Sequence, residues 1–484
     1  MSEIRNLNPK LVWELFDDIT RVPRPSKKEE KIIAFLMDFA AKHGLEYKRD
    51  KIGNVVIRKA ATAGYENRPT VVLQAHMDMV CEKNSDVEFD FEKDAIRTRI
   101  DGGWVRAEGT TLGADCGIGM AAALAVLVDP DIEHGAVEAL FTVDEETGLT
   151  GAFELADDMI TGKYLINLDS EDDGELFIGC AGGVDTLATL HYSTEVAPAN
   201  YTFYRADVSD LLGGHSGDDI DKGRANSNKI MARLLMLASQ SFEGRMSYFC
   251  GGNLRNAIPR EAYAIFGVPS RLQKLFETEY ATFAEDVRAE YRFTEPNFKI
   301  SLNPMPAPET VLDEQSQSAL VNALVGVPNG VLAMSHSVVG LVETSTNLAS
   351  VKFADDDTII ITTSQRSSVD SAKVYAMQSV EAVFALAGAD VAHSDGYPGW
   401  TPNPDSRLLE WCKTGYASLF GEEPKVRAIH AGLECGLFLE KYPDLEMVSF
   451  GPTLRGVHSP DERIEISTVT KFWQLLTDVL KRIE

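Results

Sequence analysis

Thr70-Val-Val-Leu-Gln-Ala-His-Met-Asp78 is an apolar, β-branched run that ends on His-x-Asp. Its composition predicts a buried strand, and the two-residue period of a strand turns His76 and Asp78 the same way. A histidine at a strand end can ligate a metal through its neutral imidazole. A carboxylate two residues on can accept the other ring N–H and orient it. Taken alone, the pattern equally describes a satisfied core histidine beside a surface acid. Three later stretches alter that balance: Leu112-Gly-Ala-Asp115-Cys-Gly, Thr142-Val-Asp-Glu145-Glu146-Thr-Gly148 and Asn167-Leu-Asp169-Ser-Glu. Each can put an acid at the edge of a sheet.

The chain around these stretches has 484 residues, more than one core comfortably supports, so two or three domains are expected. With 44% hydrophobic and 25% charged residues it has ample material for a large core. A net charge of −28 argues against a nucleic-acid ligand and against docking on an anionic membrane. No apolar run is long enough to span a bilayer. The six cysteines form no C-x-x-C pair, a spacing that predicts reduced thiols rather than a disulfide framework. Met1-Ser-Glu-Ile-Arg-Asn has no basic-then-apolar signal. The protein is therefore expected in the cytoplasm.

In chain order, Leu11, Val12, Leu15, Phe16, Ile19 and Val22 recur at helical spacing, and Pro23-Arg-Pro25 stops that helix. Ser26-Lys-Lys-Glu29 reads as a capping box for a second helix that Gly44 closes. Strands are predicted at 54–58, 70–74, 137–143, 164–168 and 444–450, with a helix from 120 to 128. Alternating strands and helices predict an α/β sheet covered on both faces. Near residue 186 the character changes to strand-like alternation mixed with helices at 226–238, 272–291 and 371–387. Residues 186–395 are read as an inserted α+β lid domain of one or two lobes. Residues 1–185 and 396–484 together are read as a discontinuous catalytic domain.

Within that domain the acids suggest a shared task. Glycines around Asp115 allow a sharp loop that presents its carboxylate. Ions in two-metal sites lie about 3.5–4 Å apart, a span that one carboxylate can bridge. Gly117-Ile-Gly-Met-Ala-Ala122 also matches a G-x-G-x-x-A dinucleotide fingerprint, but no clear strand precedes it and no acid is placed for a ribose. Of the adjacent pair Glu145-Glu146, one carboxylate could bind metal while the other moves a proton. Asp169 ends the next strand, and carboxyl ends of strands are where open α/β sheets place their sites. Glu171, Asp172 and Asp173 read as loop charge. Among His215, His336, His393, His430 and His458, the last follows a strand of the same domain and is the chosen second neutral ligand. Histidine and carboxylate donors suit two divalent cations, Zn2+ first, with Mn2+ or Co2+ as substitutes.

The set H-M-D, G-A-D-C-G-I-G, D-E-E-T-G, N-L-D-S-E and H-S-P-D resembles the co-catalytic zinc peptidases that include the carnosinases and PepV. The aminoacyl-histidine dipeptidases (PepD, Xaa-His dipeptidases) are more similar still, over nearly the whole chain. Further matches are Cys180-Ala-Gly-Gly183, Gly213-Gly-His-Ser-Gly217, Asn256-Ala-Ile-Pro-Arg260, Tyr397-Pro-Gly-Trp400 and Ala431-Gly-Leu-Glu-Cys-Gly436. The resemblance implies a zinc-peptidase-like catalytic domain with a mixed sheet flanked by helices. It implies that His76 and Asp169 bind one cation, Glu146 and His458 the other, and that Asp115 bridges. Glu145 would be the general base, Asp78 would orient His76, and the peptide after Asp115 would be cis. His215 would steady the oxyanion. Asn256 and Arg366 would grip a terminal carboxylate, and Glu434 a free amino group. The implied activity is hydrolysis of short peptides, chiefly dipeptides including Xaa-His. An N-acyl amino acid deacylase or a broader aminopeptidase is the alternative on the same scaffold. The substrate is thus a small peptide, and a homodimer is left open.

Overall fold

The computed structural model describes residues 2–355 and 357–484. The chain folds as two compact units. The first comprises the chain up to Gly179 with Pro402–Ala428 and Leu433–Glu484, and the second comprises Cys180–Thr401 with Ile429–Gly432.

The first unit is built on an eight-stranded mixed sheet. Its spatial order is Glu46–Arg49, Val55–Lys59, Val137–Thr142, Val71–His76, Tyr164–Asn167, Glu446–Ser449, Glu175–Cys180 and Lys425–Ile429. The three strands beside Val71–His76 in this order run parallel to one another and to it, since Val137–Thr142 and Tyr164–Asn167 flank it and Glu446–Ser449 follows. The register sets His76 opposite Thr142 and Gln74 opposite Asn167, so the segments after these strands leave the sheet at one end. Every residue from Val71 to His76 is buried. Helix Ala114–Val128 is apolar all round, and a helix of that kind belongs inside the core. Trp13 and Phe16 of helix Lys10–Thr20 join the same apolar cluster.

Two local expectations fail here. The helix expected after Gly119 starts at Ala114, with Asp115 and Cys116 held off helical dihedrals in its first turn. The capping box at Ser26 does not form, because the helix begins at Glu30 with no side-chain cap. Ser26 Oγ donates instead to Asp78 Oδ2 at 2.8 Å, and Glu29 Oε1 accepts the amides of Lys27 at 2.8 Å and Asp144 at 3.1 Å. Tertiary partners with stronger demands have taken both capping groups.

The second unit is a nine-stranded antiparallel sheet. Its main path runs Lys299–Met305, Tyr201–Ser209, Ala262–Pro269, Arg245–Gly251, Val342–Phe353, Thr358–Ser367, Gly182–His191 and Asp390–His393, and Gly330–Met334 pairs with Val342–Phe353. Helices Ser227–Phe242, Gln273–Tyr291, Glu314–Gly326 and Asp370–Leu386 contribute Ile230, Phe276, Leu320 and Phe384 to one apolar cluster with the sheet. Buried Asn226 caps the first of these helices by accepting from the amides of Asn228 at 3.0 Å and Lys229 at 3.2 Å. Its amide donates to Leu348 O at 3.0 Å and so ties the cap to the sheet. Asn226→Ala removes the cap and strands buried groups, so it should cost roughly 1–3 kcal/mol. Urea denaturation followed by circular dichroism should show a lower midpoint.

Candidate metal centre

His76, Asp78, Asp115, Glu145, Glu146, Asp169, Glu434 and His458 all belong to the first unit. Asp115 occupies the middle of the group. Its Oδ1 lies 3.1 Å from His76 Nε2 and its Oδ2 lies 3.1 Å from His458 Nε2. Asp169 Oδ1 is 3.3 Å from His76 Nε2, and Glu146 Oε2 is 3.0 Å from His458 Nε2. One carboxylate thus divides its two oxygens between two imidazoles, and each imidazole faces one further acid.

Asp78 supports this set from behind. Its Oδ1 is 3.3 Å from His76 Nδ1, without the alignment of a full hydrogen bond. The same carboxylate accepts the amides of Glu145 at 3.1 Å and Glu146 at 3.3 Å, the first residues of the short helix Glu145–Gly148. Asp78 therefore ties the histidine strand to the acid pair. Asp144 enters that helix at φ 51°, in the left-handed region that Asp tolerates better than most residues. The hydroxyls of Thr147 and Thr150 donate to its carboxylate. His458 also sits at positive φ, 60°, in its loop.

Charge explains the protonation of the group. Burial disfavours the ionised carboxyl. It lifts Glu145 well above the usual range, Asp169 to about 6 and Glu434 to about 8. On Asp115 burial is overcome by His458 and His76, which hold it well below the usual range. Asp115 and Glu146 raise His458 to about 11. On His76 burial opposes charge, but Asp169, Asp115 and Asp78 prevail and push it well up. Glu171 is no solvated loop charge, since burial and then Asp115 and Asp169 push its carboxyl up to about 8. The Asp115–Cys116 peptide is cis. The Cys116 thiol is buried against Leu168 O, and its pKa is driven well up by that burial, so it is no reactive thiolate.

These residues fit a pair of divalent cations. Buried Glu146 Oε1 and Asp169 Oδ1 make no hydrogen bond. Donor atoms of Asp115, Glu146 and His458 lie within 4.8 Å of one another, as do those of His76, Cys116 and Asp169. Nitrogen and carboxylate donors of this kind suit Zn2+, and Mn2+ or Co2+ less selectively. A buried cluster this rich in acids needs positive charge, which protons on the two histidines otherwise supply.

His215, Asn256 and Arg366 belong to the second unit. His215 pairs with Ala257 in a two-residue ladder, and Ser216 N donates to Asn256 O at 2.8 Å, so His215 and Asn256 are neighbours. His215 Nδ1 faces the amides of Gly217 and Asp218, each at 3.3 Å, and the Asp218 carboxylate at 3.4 Å. Arg366 Nη1 donates to Tyr397 OH at 3.0 Å, and its buried Nε has no hydrogen bond. His430 pairs with Ser345 Oγ at 2.7 Å, and burial followed by the Arg366 charge pulls it down to about 4. Glu434 Oε2 accepts from Gln74 Nε2 at 2.6 Å and Thr142 Oγ1 at 2.9 Å, and Glu434 Oε1 makes no hydrogen bond. Sequence reasoning passed over Arg24, Gln74 and Glu462. Only the charge of Glu462 directly after His-Ser-Pro-Asp, and that of Arg24 between two prolines, stood out as available signals.

A family model described as Peptidase family M20/M25/M40 matches residues 72–482. The chain is 42% identical over 483 residues to the cytosol non-specific dipeptidase of Escherichia coli (strain K12), covering 100% of this chain and 99% of that one. The crystal structure of aminoacylhistidine dipeptidase from Vibrio alginolyticus aligns with a TM-score of 0.95 at 42% identity, over 100% of this chain and 98% of that one. Aminopeptidase PepT from Bacillus cereus ATCC 10987, at 18% identity and a TM-score of 0.59 over 99% of each chain, shares the fold. The chain belongs to peptidase family M20/M25/M40 and is a metal-dependent peptide hydrolase.

Protonation gives the centre a measurable signature. With His76 and His458 both as ligands, metal would bind only after both imidazoles release their protons, so zinc uptake by metal-stripped protein near pH 7 should release roughly two protons. Affinity should therefore fall as pH falls. Titration calorimetry in buffers of different ionisation enthalpy measures the release, and His458→Ala should reduce it.

Proposed function

We propose that the protein hydrolyses dipeptides, including those of Xaa-His type, in the cytoplasm. The observation that carries this reading is Asp115, whose two oxygens each face a different histidine at 3.1 Å. Full-length similarity to two proteins named as dipeptidases supports it. His76 and Asp169 would hold one cation, Glu146 and His458 the other, and Asp115 would be shared. Zinc is the proposed metal. When bound, the pair would polarise the scissile carbonyl and acidify water.

The remaining chemistry belongs to the side chains. Glu145 is the proposed general base. Burial raises its proton affinity, which suits a carboxylate that takes a proton from water and gives it to the departing amine nitrogen. The C–O bond forms first, as the carbonyl pair moves onto oxygen to give a tetrahedral oxyanion; the C–N bond then breaks as that pair returns and the nitrogen takes the proton from Glu145, leaving an amino group and a carboxylate. Asp78 faces the ring of His76 and fixes the amides of Glu145 and Glu146, so it holds base and ligands in one frame. His215 is proposed to donate from Nε2 to the oxyanion. Arg366, with Asn256, is proposed to grip the substrate carboxylate through its planar fork. Buried Glu434 Oε1 is proposed to accept from the free amino group.

Glu145→Gln should lower kcat by about 10²–10⁴-fold while zinc content and KM stay near wild type. Steady-state kinetics on carnosine and on dipeptides lacking histidine, with metal analysis of the same samples, checks this. Tripeptides and N-acyl amino acids should be poor substrates. Faster turnover of N-acyl amino acids than of any dipeptide would replace the dipeptidase reading with a deacylase.

A further inference from the structure

Two buried charges stand beside the metal centre without touching any proposed ligand side chain. Arg24 is 1% exposed and Glu462 is 2% exposed. Arg24 Nη1 donates to Met77 O at 3.1 Å and to Asp78 O at 2.6 Å, and its Nη2 donates to Gly113 O. The guanidinium thus joins the backbone after His76 to the backbone before Asp115. Glu462 Oε2 accepts the amides of Leu112 at 2.7 Å and Gly113 at 3.0 Å, while Oε1 accepts those of Ala114 at 2.7 Å and Asp115 at 3.4 Å. Glu462 N also donates to Ser459 O at 3.0 Å, within the turn that carries His458. One charge ties the His76 loop to the Asp115 loop, and the other ties the His458 loop to it.

The glycines around Asp115 make room for this arrangement. A Cβ on Gly113 would lie 2.5 Å from Arg24 Nη2, and one on Gly117 would lie 2.7 Å from it. Gly113 also stands at φ 69°, which a side chain disfavours. The G-A-D-C-G spacing is therefore a slot for a guanidinium. The choice of charged groups has a physical reason. Backbone amides at a helix start lack partners within the helix, and a carboxylate satisfies several at once with stronger bonds than a neutral acceptor. A permanently charged guanidinium is tolerated in the core only when its bonds and opposite charges compensate burial. Here Asp78 and Glu462 are the compensating charges.

We propose that Arg24 and Glu462 are positioning residues for metal loading, a buried clamp that sets His76 and His458 on either side of the Asp115 carboxylate. The proposal rests on the assignment of Asp115 as the shared ligand. Loss of the clamp loosens the spacing of the two histidines, so the cation pair binds more weakly even though every ligand is still present.

The test uses full-length metal-stripped protein with the variants Glu462→Gln, Glu462→Asp, Gly117→Ala and Asp115→Asn. Zinc affinity is read by competition with a chromophoric chelator, and Tm is read with and without zinc. Glu462→Gln places an amide NH2 against backbone donors and should lower zinc affinity about 10–100-fold, the usual effect of removing a group that supports metal ligands. Glu462→Asp keeps the charge and should recover part of the loss. Gly117→Ala adds one methyl group in a helix, so it keeps the fold accessible, and it should weaken zinc binding by displacing Arg24. In each weakened variant the rise in Tm on adding zinc should shrink. Equal Tm losses with and without zinc, at unchanged zinc affinity in both Glu462→Gln and Gly117→Ala, would overturn the clamp. Asp115→Asn separates the two readings. If it binds zinc as wild type does, the assignment of the centre fails. If it loses zinc while neither Glu462→Gln nor Gly117→Ala does, only the clamp fails.

Discussion

Excess negative charge in a buried space is the constraint on which the first unit turns. Asp115, Asp169, Glu145 and Glu146 converge with two histidines at the end of a parallel strand set whose neighbouring residues are buried. Carboxylates this close cannot all ionise without compensation. Protons on His76 and His458 supply part of it, and bound metal would supply more. Affinity for metal is thus built into the cost of keeping these acids together.

The supporting residues follow from the same constraint. Asp78 cannot serve as a ligand while its oxygens hold the amides of Glu145 and Glu146 and the hydroxyl of Ser26. Glu462 spends its charge on four backbone amides rather than on a cation. Arg24 places a positive charge behind the loops rather than among the ligands, where it would compete with metal. The cluster of Glu29, Asp78 and Asp144 is likewise occupied by amides and hydroxyls, so its closeness reflects loop anchoring.

Much of the sheet was legible because apolar β-branched runs such as Val71–His76 and Val137–Thr142 have one stable fate in a core. The segments that bear the candidate ligands stood out because an acid directly after such a run has few structural uses. What escaped was everything set by partners distant in sequence. Ser26 and Glu29 have the local spacing of a capping box, yet tertiary bonds to Asp78 and Asp144 outweigh it. Gly117 and Gly119 mimic a nucleotide fingerprint because their spacing is required by packing: Arg24 crowds the first, and Leu168 O would lie 2.6 Å from a Cβ on the second. Arg24 itself looked like a residue between two helix-stopping prolines. Glu171 looked like loop charge because burial cannot be read from a run of acids.

The central claim is that Asp115 is shared by two cations, one held with His76 and Asp169 and the other with Glu146 and His458. Anomalous diffraction above and below the zinc edge, from crystals of the zinc-loaded protein, tests it directly. Two zinc peaks, each within bonding distance of a different Asp115 oxygen, are the predicted result. A single peak, or two peaks of which only one contacts Asp115, would contradict the account.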